Sequence, residues 1–218
     1  GVQSRVVKIA EDDTLLMHRY DRDQTGAPIY RVPMSVLVGK ENSNPEDYGT
    51  IDYLDYRDAL LRIAPKEVDK LYQMMIFNVA INDTDNHAGN FEVLAYPDGS
   101  WHLAPSFDVL PDPGIAVFAT SMCRYTNRPR SAENWEDFII NTAEKFGVAP
   151  HTALPVLRAV AEIRNVAAED HRFAPNEQEM KMITDVLHPE QLKEAAQRIE
   201  DRLQTMPDFS TAVLSPIS

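Results

Sequence analysis

One cysteine, Cys123, occurs in 218 residues. A single thiol excludes an internal disulfide framework and a cysteine-based zinc site, and a reducing, cytoplasmic setting is the expectation that follows. No window approaches the roughly 18 continuous apolar residues of a membrane span, and the opening GVQSRVVKIA has no secretory-signal pattern, so a soluble chain is expected. Positive charge is also scarce. With 21 Lys and Arg against 34 Asp and Glu, the net charge is −13, which argues against direct nucleic-acid binding, because phosphate contacts need clustered cations. The short basic run CRYTNRPR offers Arg124, Arg128 and Arg130; it reads as a solvated loop, with contact to substrate or a phosphate as the other reading. His18, His102, His151, His171 and His188 show no ligand spacing, so a metal hydrolase built on His87, Asp85 and Asp83 is weakly supported.

What is present suffices for a substantial core, since 44% of the residues are hydrophobic. SRVVKIA and TLLMHRY, separated by EDD, read as a hairpin, followed by the polar loop DRDQTGAP. VPMSVLVG suits a short helix opening at Pro33 and stopping at Gly39, and KENSNPEDYGT a surface loop. Val68, Leu71, Met75 and Val79 recur at helical spacing, so PKEVDKLYQMMIFNVAI is expected to be a buried helix, with Met74 and Met75 in its core stripe. FEVLAY and WHLAP are joined by PDGS, in which Pro97 fixes φ and Gly99 frees it, a second hairpin. Further helices are expected from near Asn134 to Gly147, over NEQEMKMITDVL with an Asn176–Glu179 capping box, and over HPEQLKEAAQRIEDRLQTM with Leu192, Ala196, Ile199 and Leu203 on one face. The expected class is α+β: the end of a β lobe and a hinge over 1–31, a mostly helical lobe over 32–206 carrying a short hairpin at its working end, and a tail over 207–218.

The chemistry concentrates in INDTDNHAGNF, residues 81–91, between the buried helix and the second hairpin. Antiparallel strands return the chain, so Asn90 and Phe91 lie beside APSFDVLP, and Asp85, Asn90 and Asp108 can meet at one site. An Asp, an Asn five positions on, and a second Asp beyond a hairpin form the constellation used for phosphoryl transfer in kinase-type folds. The first Asp orients or deprotonates the attacking hydroxyl; the amide and the second carboxylate suit Mg²⁺, which takes hard oxygen ligands and few of them from protein. NDTDN alone is also an ordinary polar turn. The hairpin and Asp108 distinguish it.

NDTDNHAGNF followed by LAPSFDVLP resembles the paired signature of the HipA-like serine/threonine kinases, the toxin half of bacterial toxin–antitoxin systems. LLMHRYDRD resembles that family's strand-to-hinge segment and RVPMSVLVG the helix after it, and the four matches are collinear from about Arg5 to Pro111. The resemblance implies a two-lobed protein-kinase-like fold, with ATP and Mg²⁺ used to phosphorylate a Ser or Thr hydroxyl of a protein. It implies Asp85 as the catalytic Asp, His87 as a brace of the loop, Asn90 and Asp108 as metal ligands, and Met17, His18 and Tyr20 in the hinge lining the adenine. His18 stands where the family commonly has Glu and Tyr20 where it commonly has Phe. The phosphate-covering loop and nucleotide Lys of the family precede the hinge, and Lys8 falls one element too late, so a C-terminal portion of reduced or absent activity is expected. The alternative is a non-catalytic module docking an antitoxin-type DNA-binding protein through its acidic face. A metal-dependent phosphohydrolase, releasing phosphate to water, is a third option.

Overall fold

The computed structural model describes residues 3–9, 12–40, 49–112, 117–163, 165 and 176–205. Most of the expected loop KENSNPEDYGT, the tail from 206 and the side chain of Glu179 lie outside these. Ser4–Ile9 (β1) and Asp12–Met17 (β2) pair antiparallel, Ser4 opposite Met17 and Ile9 opposite Asp12. The loop after them is organised by Asp23, whose Oδ1 accepts from Thr25 N, Thr25 Oγ1 and Ala27 N at 2.8, 2.7 and 2.9 Å.

Tyr30–Pro33 (β3) is a strand that straddles the expected boundary between lobes, and the helix Met34–Val38 (α1) follows it and ends at Gly39, φ 66°. The expected second hairpin, Glu92–Ala95 (β5) and Trp101–Leu103 (β6), is therefore part of a three-stranded sheet in the order β3–β5–β6. Its turn closes with Tyr96 N donating to Ser100 O and Gly99 N to Tyr96 O, at 2.9 and 3.0 Å, with Gly99 at φ 83°.

Val68–Ile81 (α3), led in by a 3₁₀ turn over Pro65–Glu67, is the central helix. It is apolar on most of its circumference and buried there, with Val68, Leu71, Tyr72, Met74, Met75, Ile76, Val79 and Ala80 all in the core. Around it stand Tyr53–Ile63 (α2), Ala132–Phe146 (α4), Leu154–Ala161 (α5), Glu177–Leu187 (α6) and Pro189–Thr205 (α7). Helix α4 starts two residues before the expected Asn134, because Ser131 is the cap: its Oγ accepts from Asn134 N at 3.1 Å. Glu136 on α4 accepts from Arg198 Nε at 2.8 Å and Arg202 Nη1 at 2.9 Å, tying α4 to α7 across a buried carboxylate. Arg128 corrects its expected place in a solvated loop. Its guanidinium turns inward to the carbonyls of Ala80, Val186 and Leu187, satisfying the ends of α3 and α6, and burial pulls its pKa down to about 10.

Ile51–Asp52 (β4) pairs in parallel with Thr120–Ser121 (β7) and runs into α2. Asp52 caps that helix, Oδ1 accepting from Leu54 N at 2.9 Å, while Asp55 Oδ2 accepts from Asp52 N at 3.0 Å. The Asp52 carboxylate also accepts from Ser121 Oγ, Cys123 N and Arg124 N at 2.9, 3.0 and 2.6 Å. Cys123 and Arg124 sit at φ 55° and 77°. Neither is glycine, so each left-handed residue costs roughly 1–2 kcal/mol, and Asp52 is what holds the turn in place. Among the described residues no helix is long and apolar enough to cross a membrane.

Replacing Asp52 with Ala removes the cap and leaves the Cys123 N–H unpaired, while Arg124 N keeps Ser121 Oγ at 3.1 Å, for an expected loss of about 2 kcal/mol. Chemical denaturation of Asp52→Ala beside Asp52→Asn, which keeps an acceptor and is expected to lose less, measures it.

Candidate active site

Helix α3 ends inside the protein. Asn82, at φ 60°, breaks it in the left-handed conformation that Asn tolerates, and Asp83 N returns to Asn78 O at 2.8 Å. The chain emerges at Asp85, which is exposed, between buried Thr84 and buried Asn86. Asp85 O then accepts from His87 N at 2.8 Å and from Asn90 Nδ2 at 3.3 Å. With its Nδ2 committed, Asn90 has Oδ1 as the amide atom for a cation. His87 Nδ1 accepts from Gly89 N at 3.1 Å, capping the 3₁₀ turn Ala88–Asn90. A Cβ on Gly89 would stand 2.9 Å from His87 Cε1, so only glycine admits the imidazole in this position.

The hairpin brings back Asp108, exposed and at φ 52°. Just before it, Phe107 stacks on Tyr20, ring centroids 5.9 Å apart and 22° between planes. Tyr20 donates its hydroxyl to Glu92 Oε2 at 3.0 Å, and burial followed by that carboxylate pushes its pKa up to about 12. Arg31 Nε lies 3.5 Å from the same Glu92 oxygen. Of the three expected hinge residues, Tyr20 is thus held against the segment carrying Asp108. Met17 and His18 are exposed, His18 N donating to Gln3 O at 2.8 Å.

Beneath the loop lies a set of contacts that the sequence did not reveal. Asn82 O accepts from Asp112 N at 3.0 Å, and Asn82 Nδ2 donates to Asp112 O at 2.5 Å. Thr84 Oγ1 donates to Asp112 Oδ2 at 2.7 Å. Asp83 accepts from Asn86 Nδ2 at 3.0 Å and from Leu110 N. On the other side Ala119 N donates to Thr84 O at 2.9 Å and Thr120 Oγ1 to Asn86 O at 2.7 Å. Asn, Asp and Thr are ordinary turn residues, and nothing in their spacing marks these for a second strand of chain.

Burial pushes the Asp83 carboxyl up to about 7; the Asn86 amide holds it down in part, while the nearby charges of Asp85 and Asp108 raise it further against the Leu110 N–H. Both charges act on Asp83, so Asp85 and Asp108 each lie within electrostatic range of the buried carboxyl. Among the described residues no group of three or more His, Cys, Asp or Glu side chains is arranged to hold a metal. The expected pair, the Asn90 amide oxygen and the Asp108 carboxylate, is a smaller donor set. It fits Mg²⁺, which retains water and phosphate oxygens, and a cation would relieve the crowding of negative charge.

The family model for the HipA-like C-terminal domain matches residues 2–169. HipA of Shewanella oneidensis MR-1, solved with HipB and its operator DNA, is similar at 16% identity and a TM-score of 0.68, over 92% of this chain and 53% of that one. The chain therefore spans about half the length of that relative. The Helicobacter pylori proinflammatory kinase CtkA is similar at 14% identity and a TM-score of 0.59, over 92% of this chain and 81% of that one. No curated protein matches. The fold is protein-kinase-like.

Two outcomes follow from the loop. A folded-state pKa near 7, raised from about 3.9 in an unfolded chain, gives stability that is full below pH 4 and lost as pH rises through 7. Asp83→Asn does not titrate, so its melting temperature relative to the parent is expected to rise between pH 5 and 8; parallel curves contradict the assignment. Gly89→Ala displaces the His87 ring and its hydrogen bond to the 89 N–H and is expected to cost about 1 kcal/mol, measured by urea unfolding.

Proposed function

This chain belongs to the HipA-like C-terminal domain family, and from that premise we propose that it is the catalytic portion of a kinase phosphorylating a Ser or Thr hydroxyl of a protein, with ATP as the donor. The observation that carries the reading is that exposed Asp85 and exposed Asp108 both act on one buried carboxyl, Asp83, with Asn90 bonded back to the Asp85 carbonyl. Asp85 accepts a hydrogen bond from the acceptor hydroxyl and aims its oxygen at the γ-phosphorus. As the new O–P bond forms and the bond to the ADP oxygen breaks, the hydroxyl proton passes toward Asp85. Positioning contributes more than basicity here. Asn90 Oδ1 and Asp108 hold Mg²⁺, which supplies charge neutralisation on the phosphates.

His87 keeps the loop in shape through Gly89, and Tyr20, on the hinge side, meets the Asp108 segment through Phe107. An adenine lying along the hinge would meet Met17 and His18 at its rim. The Shewanella HipA is described with HipB and operator DNA. By that analogy an antitoxin-type DNA-binding protein is the proposed partner, in the cytoplasm, with the net charge of −13 facing a basic surface.

Asp85→Asn is expected to lower the rate of protein phosphorylation by about 10²–10⁴-fold while leaving Mg²⁺-dependent nucleotide binding in place. Asp108→Asn is expected to abolish that binding in calorimetry. Parent-level phosphotransfer by Asp85→Asn sinks the reading.

A further inference from the structure

We propose that Asn82, Asp83 and Thr84 form a staple that fixes the segment carrying Asp108 against the loop carrying Asp85 through protein hydrogen bonds. The inference rests on the kinase reading for the role of Asp108, and on geometry alone for the staple. Asp108 is an exposed residue in the left-handed region, at φ 52°, a conformation costing roughly 1–2 kcal/mol for a non-glycine residue. Such a residue persists where its surroundings over-determine it. Here the chain is fixed on both sides of it. On the amino side Phe107 is stacked on Tyr20. On the carboxyl side three consecutive loop residues each hold the segment 110–112: Asp83 through Leu110 N, Asn82 through both Asp112 N and O, and Thr84 through Asp112 Oδ2.

These contacts differ in kind from those of a packed core. Asn82 is the C-cap of α3 and Asp85 follows Thr84 directly, so the staple and the catalytic carboxylate lie in four consecutive residues. The separation of Asp85 and Asp108 is then set across three residues on one side and four on the other. A ligand group held this way requires little reorganisation when a cation arrives. Asn82, Asp83, Thr84 and Asp112 are therefore positioning residues, acting through Asp108.

The test compares the parent 218-residue chain with the double variant Asn82→Gly, Thr84→Val, which keeps the left-handed cap and the Thr shape but removes both side-chain arms. Asp83→Ala is the independent second variant. Amide hydrogen exchange over 107–112 is expected to accelerate about tenfold or more while α4 and α7 keep parent rates. Calorimetry with Mn²⁺ and a non-hydrolysable ATP analogue is expected to show affinity weakened roughly 10–100-fold, with Thr84→Ser retaining the parent value. Unchanged exchange over 107–112 overturns the staple, as does faster exchange with unchanged Mn²⁺ affinity. Absence of Mn²⁺–nucleotide binding even when the segment that precedes the hinge in the family is supplied contradicts the kinase reading, and the exchange arm then decides the staple by itself.

Discussion

A helix that ends in the core leaves its last carbonyls and the following amides without water, and each must find a partner in protein. Helix α3 is such a helix. Ala80 O is met by the Arg128 guanidinium, Asn78 O by Asp83 N, and the next loop residues by Asp112, Ala119 and Thr120. The partners come from segments that follow the hairpin. Satisfying the end of α3 therefore draws the Asp108 segment and the 118–120 segment onto either side of the loop, and the site is a consequence of that requirement. Substituting Val at Thr84 keeps the shape of the side chain and still removes its bond to Asp112.

Tyr20, at the end of the expected hinge, is joined to this arrangement by a different force. Tyr20 packs beside Ile29, Leu94 and Ala104, and its ring lies on Phe107. Its hydroxyl is buried far enough to need an acceptor, which Glu92 supplies from the strand leaving the loop. One side chain thus connects the segment after the first hairpin to β5, through Glu92 and Leu94, and to the chain leaving β6, through Ala104 and Phe107. Tyr in place of the Phe common in the family adds a polar anchor to an apolar contact.

Elements with one strong period were legible in the sequence: α3 from Val68, Leu71, Met75 and Val79, and α7 from Leu192, Ala196 and Ile199, all of them buried. The hairpins were legible from their turn chemistry. Helix α2 was not anticipated, since IDYLDYRDALLRI alternates at its start like a strand, and its cap uses Asp at both Asp52 and Asp55 instead of the Ser/Thr–Glu pattern. Helix α5 follows directly on a 3₁₀ turn over Pro150–Ala153 and carries Pro155 in its first turn, which sequence alone reads as a break. The residues of the loop were legible as a motif. The partners of that motif were not, because Asp112 and Thr120 are polar residues in irregular chain, and only the fold determines what they face.

Three carboxylates so close would repel one another if all stood in the same environment. They do not. Asp83 is 1% exposed and meets two donors, whereas Asp85 and Asp108 reach solvent. The desolvation falls on the residue that touches the scaffold, and the two that would meet substrate and cation keep access to water. Exchanging these environments would place a carboxylate with a raised pKa at the reacting centre and an exposed, solvated one beneath the loop, where it could no longer hold Leu110. The order Asp83, Thr84, Asp85 therefore carries a division of labour that a simple count of acidic residues in NDTDN conceals.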